Sequence, residues 1–150
     1  MLDVSPKHPP LLESGVLAYR LDRRGEPRVL VVTTAKNHRW GIPKGRVEPH
    51  LSFGDNAAKE AFEEAGIVGE VTPTSVGMYR ATKRRSTCET VIEVWVYLMK
   101  VTETLKDFPE KGRRELKWVS PQEAARLLRE PCLAKLCQAL PAGRKKSAAA

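Results

Sequence analysis

Three glutamates, Glu60, Glu63 and Glu64, close the segment WGIPKGRVEPHLSFGDNAAKEAFEEAGI, residues 40–67. On a helix, at about 100° per residue, steps of three and four from Glu60 bring Glu63 and Glu64 onto the same side, within an arc of about 100°. They form one acidic edge. Glu60 and Glu64 repel as an i,i+4 pair, and all three lie toward the negative end of the helix dipole, where anions are disfavoured. A divalent cation reverses the sign of both penalties. Oxygen-only ligands, from carboxylates, a backbone carbonyl and water, suit Mg²⁺ or Mn²⁺ better than zinc. The competing reading is a solvated acidic face with Lys59 and Lys44 as counter-charges.

The elements around these acids are readable locally. Ser52 and Asp55 form a capping pair, so a helix is predicted to start at about Ser52. Ala57, Ala58, Ala61, Phe62 and Ala65 give it propensity and an apolar stripe, and Gly66 is suited to a left-handed cap after Ala65. Before the helix, Trp40-Gly41-Ile42-Pro43-Lys44-Gly45 is a turn whose glycines let backbone approach a ligand while Lys44 offers positive charge. Phosphate is the natural guest.

With these residues in hand, the segment resembles the signature of the Nudix hydrolases, G-x5-E-x7-R-E-U-x-E-E-x-G-U with U aliphatic. Gly45, Glu60, Glu63, Glu64, Gly66 and Ile67 fall in register. Leu51 stands in place of the first glutamate, Lys59 in place of the arginine, and Ala61 at an aliphatic position. The first two departures read as one coupled loss, since Leu51 leaves no acid for an arginine fork to grip. Within the family the chain is similar to the diphosphoinositol polyphosphate phosphohydrolases, which also hydrolyse dinucleoside polyphosphates. The similarity runs through Trp40, Pro43, Glu48-Pro49, Glu63-Glu64-Ala65-Gly66, Arg113-Arg114-Glu115 with Trp118, and Arg20. Lys44-Gly45-Arg46 is poorer in glycine than that group, and His50 and Leu51 stand where it has acids.

The resemblance implies an α+β fold, an α/β/α sandwich with a central mixed β-sheet, spanning one domain at residues 13–140. Strands are expected at about Gly15–Leu21, Arg28–Thr34, Ser75–Arg80, Thr90–Val101 and Glu115–Val119. Arg23 to Pro27 is the first hairpin tip and Thr82 to Ser86 an exposed connection. A second helix is predicted after Ser120 through about Leu128, and a third from Pro131 to near Leu140. Residues 1–12 read as a flexible lead and residues 141–150 as a disordered basic tail.

Composition limits the function classes. No apolar run approaches the roughly 20 residues needed to cross a bilayer, and no secretory layout opens the chain, so a cytoplasmic protein without membrane contact is expected. Cys88, Cys132 and Cys137 lack CxxC spacing and read as reduced thiols. Twenty-six basic residues against 18 acidic ones give a formal charge of +8, which draws in anions. Lys83-Arg84-Arg85 and Lys111-Gly112-Arg113-Arg114 concentrate that charge in expected loops.

The resemblance then implies roles. Glu60, Glu63 and Glu64 hold Mg²⁺, or Mn²⁺ in its place, and Glu63 either shares the ligation or polarises the attacking water. A carbonyl near Lys44 completes the shell. Arg20, Lys44, Gly45, Arg46, Lys83, Arg84, Arg85, Arg113 and Arg114 bind a small polyphosphorylated substrate, and Glu103, Glu110 and Glu115 are candidates for a further acid. Two other classes stay open. One is a module that binds a phosphorylated ligand without cleaving it. The other is an RNA 5′-end pyrophosphohydrolase, drawn to nucleic acid by the +8 charge, although few aromatic residues are available for base stacking.

Overall fold

The computed structural model describes residues 8–34, 36–86 and 88–141. Of the lead expected over residues 1–12, residues 1–7 lie outside this range, while Leu11 and Leu12 already belong to the first strand. The tail expected over residues 141–150 lies outside it beyond Pro141.

Strand β1 (Leu11–Leu21) turns through Asp22, Arg23 and Arg24 into β2 (Pro27–Thr33). Asp22 closes the turn by accepting the N–H groups of Arg24 and Glu26 on its carboxylate, at 2.8 and 2.9 Å. The two strands pair only at Tyr19–Leu21 with Pro27–Val29 and then part. The fork is filled by the segment expected to be a bare turn. Its first half, β3 (Trp40–Gly41), pairs with β2, and its second half, β4 (Lys44–Arg46), pairs with β1 over Glu13, Ser14 and Gly15. Between them the Pro43 carbonyl accepts the Val16 N–H at 3.1 Å, which ties the crossing from one strand to the other.

The long strand β7 (Cys88–Thr104) runs parallel to β1 from Leu11 to Tyr19. Its other edge carries β6 (Gly77–Arg85) and β5 (Ile67–Val71), both antiparallel, and β8 (Leu116–Val119) lines the outer edge of β2. One parallel pair in an otherwise antiparallel sheet makes it mixed, as expected. Strand β6 runs through Thr82 to Arg85, which corrects the exposed connection expected there. Arg84 opposite Glu89 offsets charge in that extension, and backbone pairing to β7 continues to Arg85 opposite Cys88.

Alternation along the strands builds two cores. Val16, Ala18, Leu30, Val32, Tyr97 and Met99 face the helix α1 (Phe53–Ala65), whose Ala57, Ala61 and Ala65 let it lie close to the sheet. Leu17, Val29, Val31, Val94 and Val96 point the other way, onto α2 (Pro121–Leu128) and α3 (Pro131–Gln138). The product is the α/β/α sandwich.

Candidate metal centre

Helix α1 forms where its caps dictate. Ser52 accepts the Asp55 N–H on its hydroxyl at 3.0 Å, and Gly66 ends the helix at φ 67°, donating its N–H to the Phe62 carbonyl. The β4 backbone runs beside this helix. Asn56, fully buried, is the tie: its amide donates to Ser14 Oγ at 3.0 Å and to the Gly45 carbonyl at 3.4 Å, and its Oδ1 accepts the Glu48 N–H at 3.2 Å.

Two of the three acids turn inward at this seam. The Glu60 carboxylate lies against Gly45 so closely that an added Cβ there would come within 2.3 Å of the carboxyl carbon. Only glycine leaves that space open. Glu64, 9% exposed, accepts the Lys44 N–H at 3.3 Å. Burial raises both carboxyl pKa values, that of Glu64 to about 8, even though Arg114 beside it pulls in the opposite direction. Burial is the stronger effect on Glu64. Arg114 lies 3.5 Å from this carboxylate and offsets part of the cost of burying it.

The loop from β7 to β8 closes the third side. Leu105 donates its N–H to the Gly66 carbonyl at 2.7 Å, Phe108 packs on the bare α-carbon of Gly66, and the Glu110 N–H donates to the Glu63 carbonyl at 2.9 Å. Arg114 then reaches Glu110 and, at 3.5 Å, Glu64. Among the three acids left unranked in the sequence, Glu110 is the one brought to the helix.

Glu63 lies on the outer shoulder. Lys59 Nζ sits 3.0 Å from its carboxylate, 2.8 Å from that of Glu48 and 3.9 Å from that of Glu60. With leucine at 51, the cation at 59 takes its acid partners elsewhere, and the one nearest to it is Glu48. This pairing pulls the Glu48 pKa below its ordinary value and raises that of Lys59.

The basic residues divide. Arg114 meets the carboxylates, and Arg113 is exposed beside it on the same loop. Arg46 is exposed at the end of β4. Lys44 contributes its backbone to this side, but its ammonium crosses Gly15 to the opposite face, where it meets the buried Glu13 at 3.0 Å. Arg20 stacks over Trp118 at 4.0 Å, five residues from Gly15 along β1 and so roughly 17 Å away. Lys83 and Arg84 sit on the overhanging end of the β6–β7 hairpin, past the point where β1 begins. Arg85 pairs there through its backbone.

These residues fit a divalent cation. Five acids, Glu48, Glu60, Glu63, Glu64 and Glu110, surround two cations, Lys59 and Arg114, and the donors are all oxygen. Among the described residues no three acids converge tightly enough to hold an ion as they stand, and Lys59 and Arg114 are paired with them. The roles of Glu48, Asn56 and Glu13 escape motif reading. An acid inside the apolar run LLESGVLAY is the one signal that marks Glu13.

Comparison with known proteins agrees with this architecture. A family model described as the NUDIX domain matches residues 11–140. Nudix hydrolase 12, mitochondrial, from Arabidopsis thaliana is 31% identical over 134 residues, covering 79% of this chain and 66% of the relative, so the chain spans about two thirds of that protein. Diphosphoinositol polyphosphate phosphohydrolase 3-beta from Bos taurus is 31% identical over 133 residues, covering 85% of this chain and 76% of the relative. Among solved structures, a C. elegans Ap4A hydrolase superposes with a TM-score of 0.61 at 19% identity, over 85% of this chain and 93% of that one. The NUDIX domain of a Shewanella oneidensis protein, solved with ADP ribose, reaches 0.65 at 14% identity, over 91% and 90%. At such identities the structural likeness speaks for the fold, while the family match and the relatives at 31% speak for descent. By the family match and those relatives the chain belongs to the Nudix hydrolase family.

Proposed function

We propose that residues 13–140 act as a Mg²⁺-dependent pyrophosphohydrolase that cleaves a P–O–P bond of a small, highly phosphorylated substrate. The observation that carries this reading is the seam at Gly45, where Glu60 and Glu64 are buried against backbone and a separate loop delivers Glu110 and Arg114 to the same edge. Mg²⁺, or Mn²⁺ in its place, would be held by Glu60, Glu64 and Glu63, with a carbonyl of the Lys44–Gly45 stretch. Such an ion, when bound, offsets phosphate charge and makes a neighbouring water more acidic.

The chain's own residues do the rest. Water attacks one phosphorus, the bridging P–O bond breaks, and the proton lost by the water passes to Glu63 or Glu110. Arg114, released from Glu64, and the adjacent Arg113 and Arg46 grip spectator phosphate oxygens, for which the guanidinium fork is suited. Gly45 leaves room for the Glu60 carboxylate against the backbone. Arg20, Lys83, Arg84 and Arg85 draw the polyanion in or hold its far end, while Lys44, its ammonium held by Glu13 on the opposite face, contributes its backbone alone.

Diphosphoinositol polyphosphates and dinucleoside polyphosphates are the substrate classes this reading favours, supported by the names of the Bos taurus relative and the C. elegans neighbour. The test is phosphate release from diphosphoinositol polyphosphates, dinucleoside polyphosphates, nucleoside diphosphate sugars and triphosphorylated or capped RNA, with and without Mg²⁺. Release from either favoured class that needs Mg²⁺ and vanishes in Glu64→Gln supports the proposal. Equal release without Mg²⁺, or ligand binding with no release at all, defeats it.

Cytosolic placement belongs to the same reading. No helix among the described residues is long and apolar enough to cross a membrane. Fractionation of the tagged protein tests the placement, and recovery with mitochondria, the compartment named for the Arabidopsis relative, overturns it.

A further inference from the structure

Lys59 is a problem for any cation meant to sit among Glu60, Glu63 and Glu64. Its ammonium lies within 4 Å of two of them, 3.0 Å from Glu63 and 3.9 Å from Glu60. A fixed positive charge there competes directly with a divalent ion for the same oxygens. The signature residue that would balance it is absent, because position 51 is leucine.

The structure places another acid, Glu48, beside Lys59. Glu48 meets Lys59 Nζ at 2.8 Å, closer than either glutamate of the helix. The site is built rather than accidental: the Glu48 N–H is held by Asn56, and the same fully buried amide group grips the Gly45 carbonyl and Ser14. Leu51 donates its N–H to the Glu48 carbonyl at 3.0 Å, so the turn that puts leucine at 51 also presents the glutamate three residues earlier.

We infer that Glu48 is a positioning residue that, with leucine at position 51, is left to draw the charge of Lys59 off Glu63 and Glu60 so that they can accept a divalent cation. Its carboxylate supplies negative charge from outside the set that binds the ion. Without it, Lys59 has only the helix acids for partners among the described residues. Both side chains are about one-third exposed, 35% for Lys59 and 36% for Glu48, so solvent limits the effect to a few-fold change in affinity.

This inference rests on the metal reading above, and direct Mn²⁺ binding separates the two. Free Mn²⁺ is followed by its paramagnetic resonance signal during titration of the intact chain, so no turnover enters the measurement. Glu48→Gln is expected to weaken Mn²⁺ binding about fivefold. Adding Lys59→Gln to Glu48→Gln is expected to return affinity to within about twofold of the original, since the cation left unbalanced is then gone. Adding Leu51→Glu instead is expected to restore it as well, because an acid returns to the signature position.

A merely structural tie between loop and helix predicts the opposite for the first pair, with the double variant at least as weak as the single one. Wild-type affinity in Glu48→Gln, or no recovery in either double variant, overturns the inference. Should Glu48→Gln fail to fold, the two double variants still decide, because each must bind Mn²⁺ like wild type. If Glu64→Gln binds Mn²⁺ as tightly as wild type, the metal reading itself fails; if Glu64→Gln loses binding while Glu48→Gln keeps it, this inference fails alone.

Discussion

The carboxylate of Glu60 occupies the volume that any side chain at position 45 would need, with its carboxyl carbon 2.3 Å from where a Cβ would stand. Glycine at 45 and glutamate at 60 are thus one steric decision. Gly45→Ala is expected to expel the carboxylate at little cost in stability, since the end of a flexible side chain can swing away, and to abolish Mg²⁺-dependent turnover. Gly41→Ala is the control, since a Cβ there meets nothing within 4 Å, and its stability should stay within about 0.5 kcal/mol of wild type. Denaturant melts and turnover assays on the two variants check the contrast.

Glu64 ties stability to pH. Burial lifts its folded pKa from the ordinary 4.5 to about 8, so across that window the folded metal-free protein holds a proton that the unfolded chain has released. Stability from this group is complete below the lower value and is lost as pH rises through the upper one. Metal-free protein is therefore expected to be less stable at about pH 8 than at about pH 5. Glu64→Gln should remove on the order of 2 kcal/mol of that difference. Urea melts of both proteins at both pH values measure it, and an unchanged slope in the variant counts against the raised pKa.

Gly66 carries two demands at once, a left-handed backbone at φ 67° and a bare α-carbon under Phe108. Gly66→Ala is expected to cost more than about 1 kcal/mol and to loosen the β7–β8 loop. Since that loop carries Glu110 and Arg114, turnover should fall further than stability alone explains. Phe108→Ala separates the causes, because it frees the loop without straining the backbone. Hydrogen exchange at the Glu110 amide, which bonds to the Glu63 carbonyl, should accelerate in both.

Charge removal should be graded by place. Arg114→Ala and Glu110→Gln strike the edge of the carboxylate cluster and are expected to lower kcat by about 10²-fold or more, the scale of a lost acid–base or charge-stabilising group. Arg20→Ala, Lys83→Ala and Arg84→Ala lie farther away and are expected to raise KM with kcat preserved, more strongly at low salt. Steady-state kinetics at two ionic strengths distinguishes the groups.

Local signals in the chain foretold some of these parts well. Helix α1 could be bounded from Ser52 and Gly66 because caps are decided by neighbours within four residues, and α2 from Ser120, which accepts the Glu123 N–H, for the same reason. The apolar alternation of β1, β2 and β7 was equally plain. Strands β3, β4 and β5 were not, since Lys44-Gly45-Arg46 has no strand propensity and pairs only because β1 offers an open edge. The acids of the motif were legible by spacing. Their partners were not: Glu48 with Lys59, Glu110 with Glu63 and Arg114 with Glu64 meet across 11, 47 and 50 positions, distances over which no periodicity speaks.

The fork between β1 and β2 divides labour in the site. Trp40 to Arg46 is stitched to strands on both sides, so the floor beneath Glu60 and Glu64 cannot shift without unzipping the sheet. The wall opposite, carrying Glu110 and Arg114, hangs from a loop held at Gly66 and Glu63. Changes in the shape of that wall can accordingly be accommodated while the floor beneath Glu60 and Glu64 stays as it is.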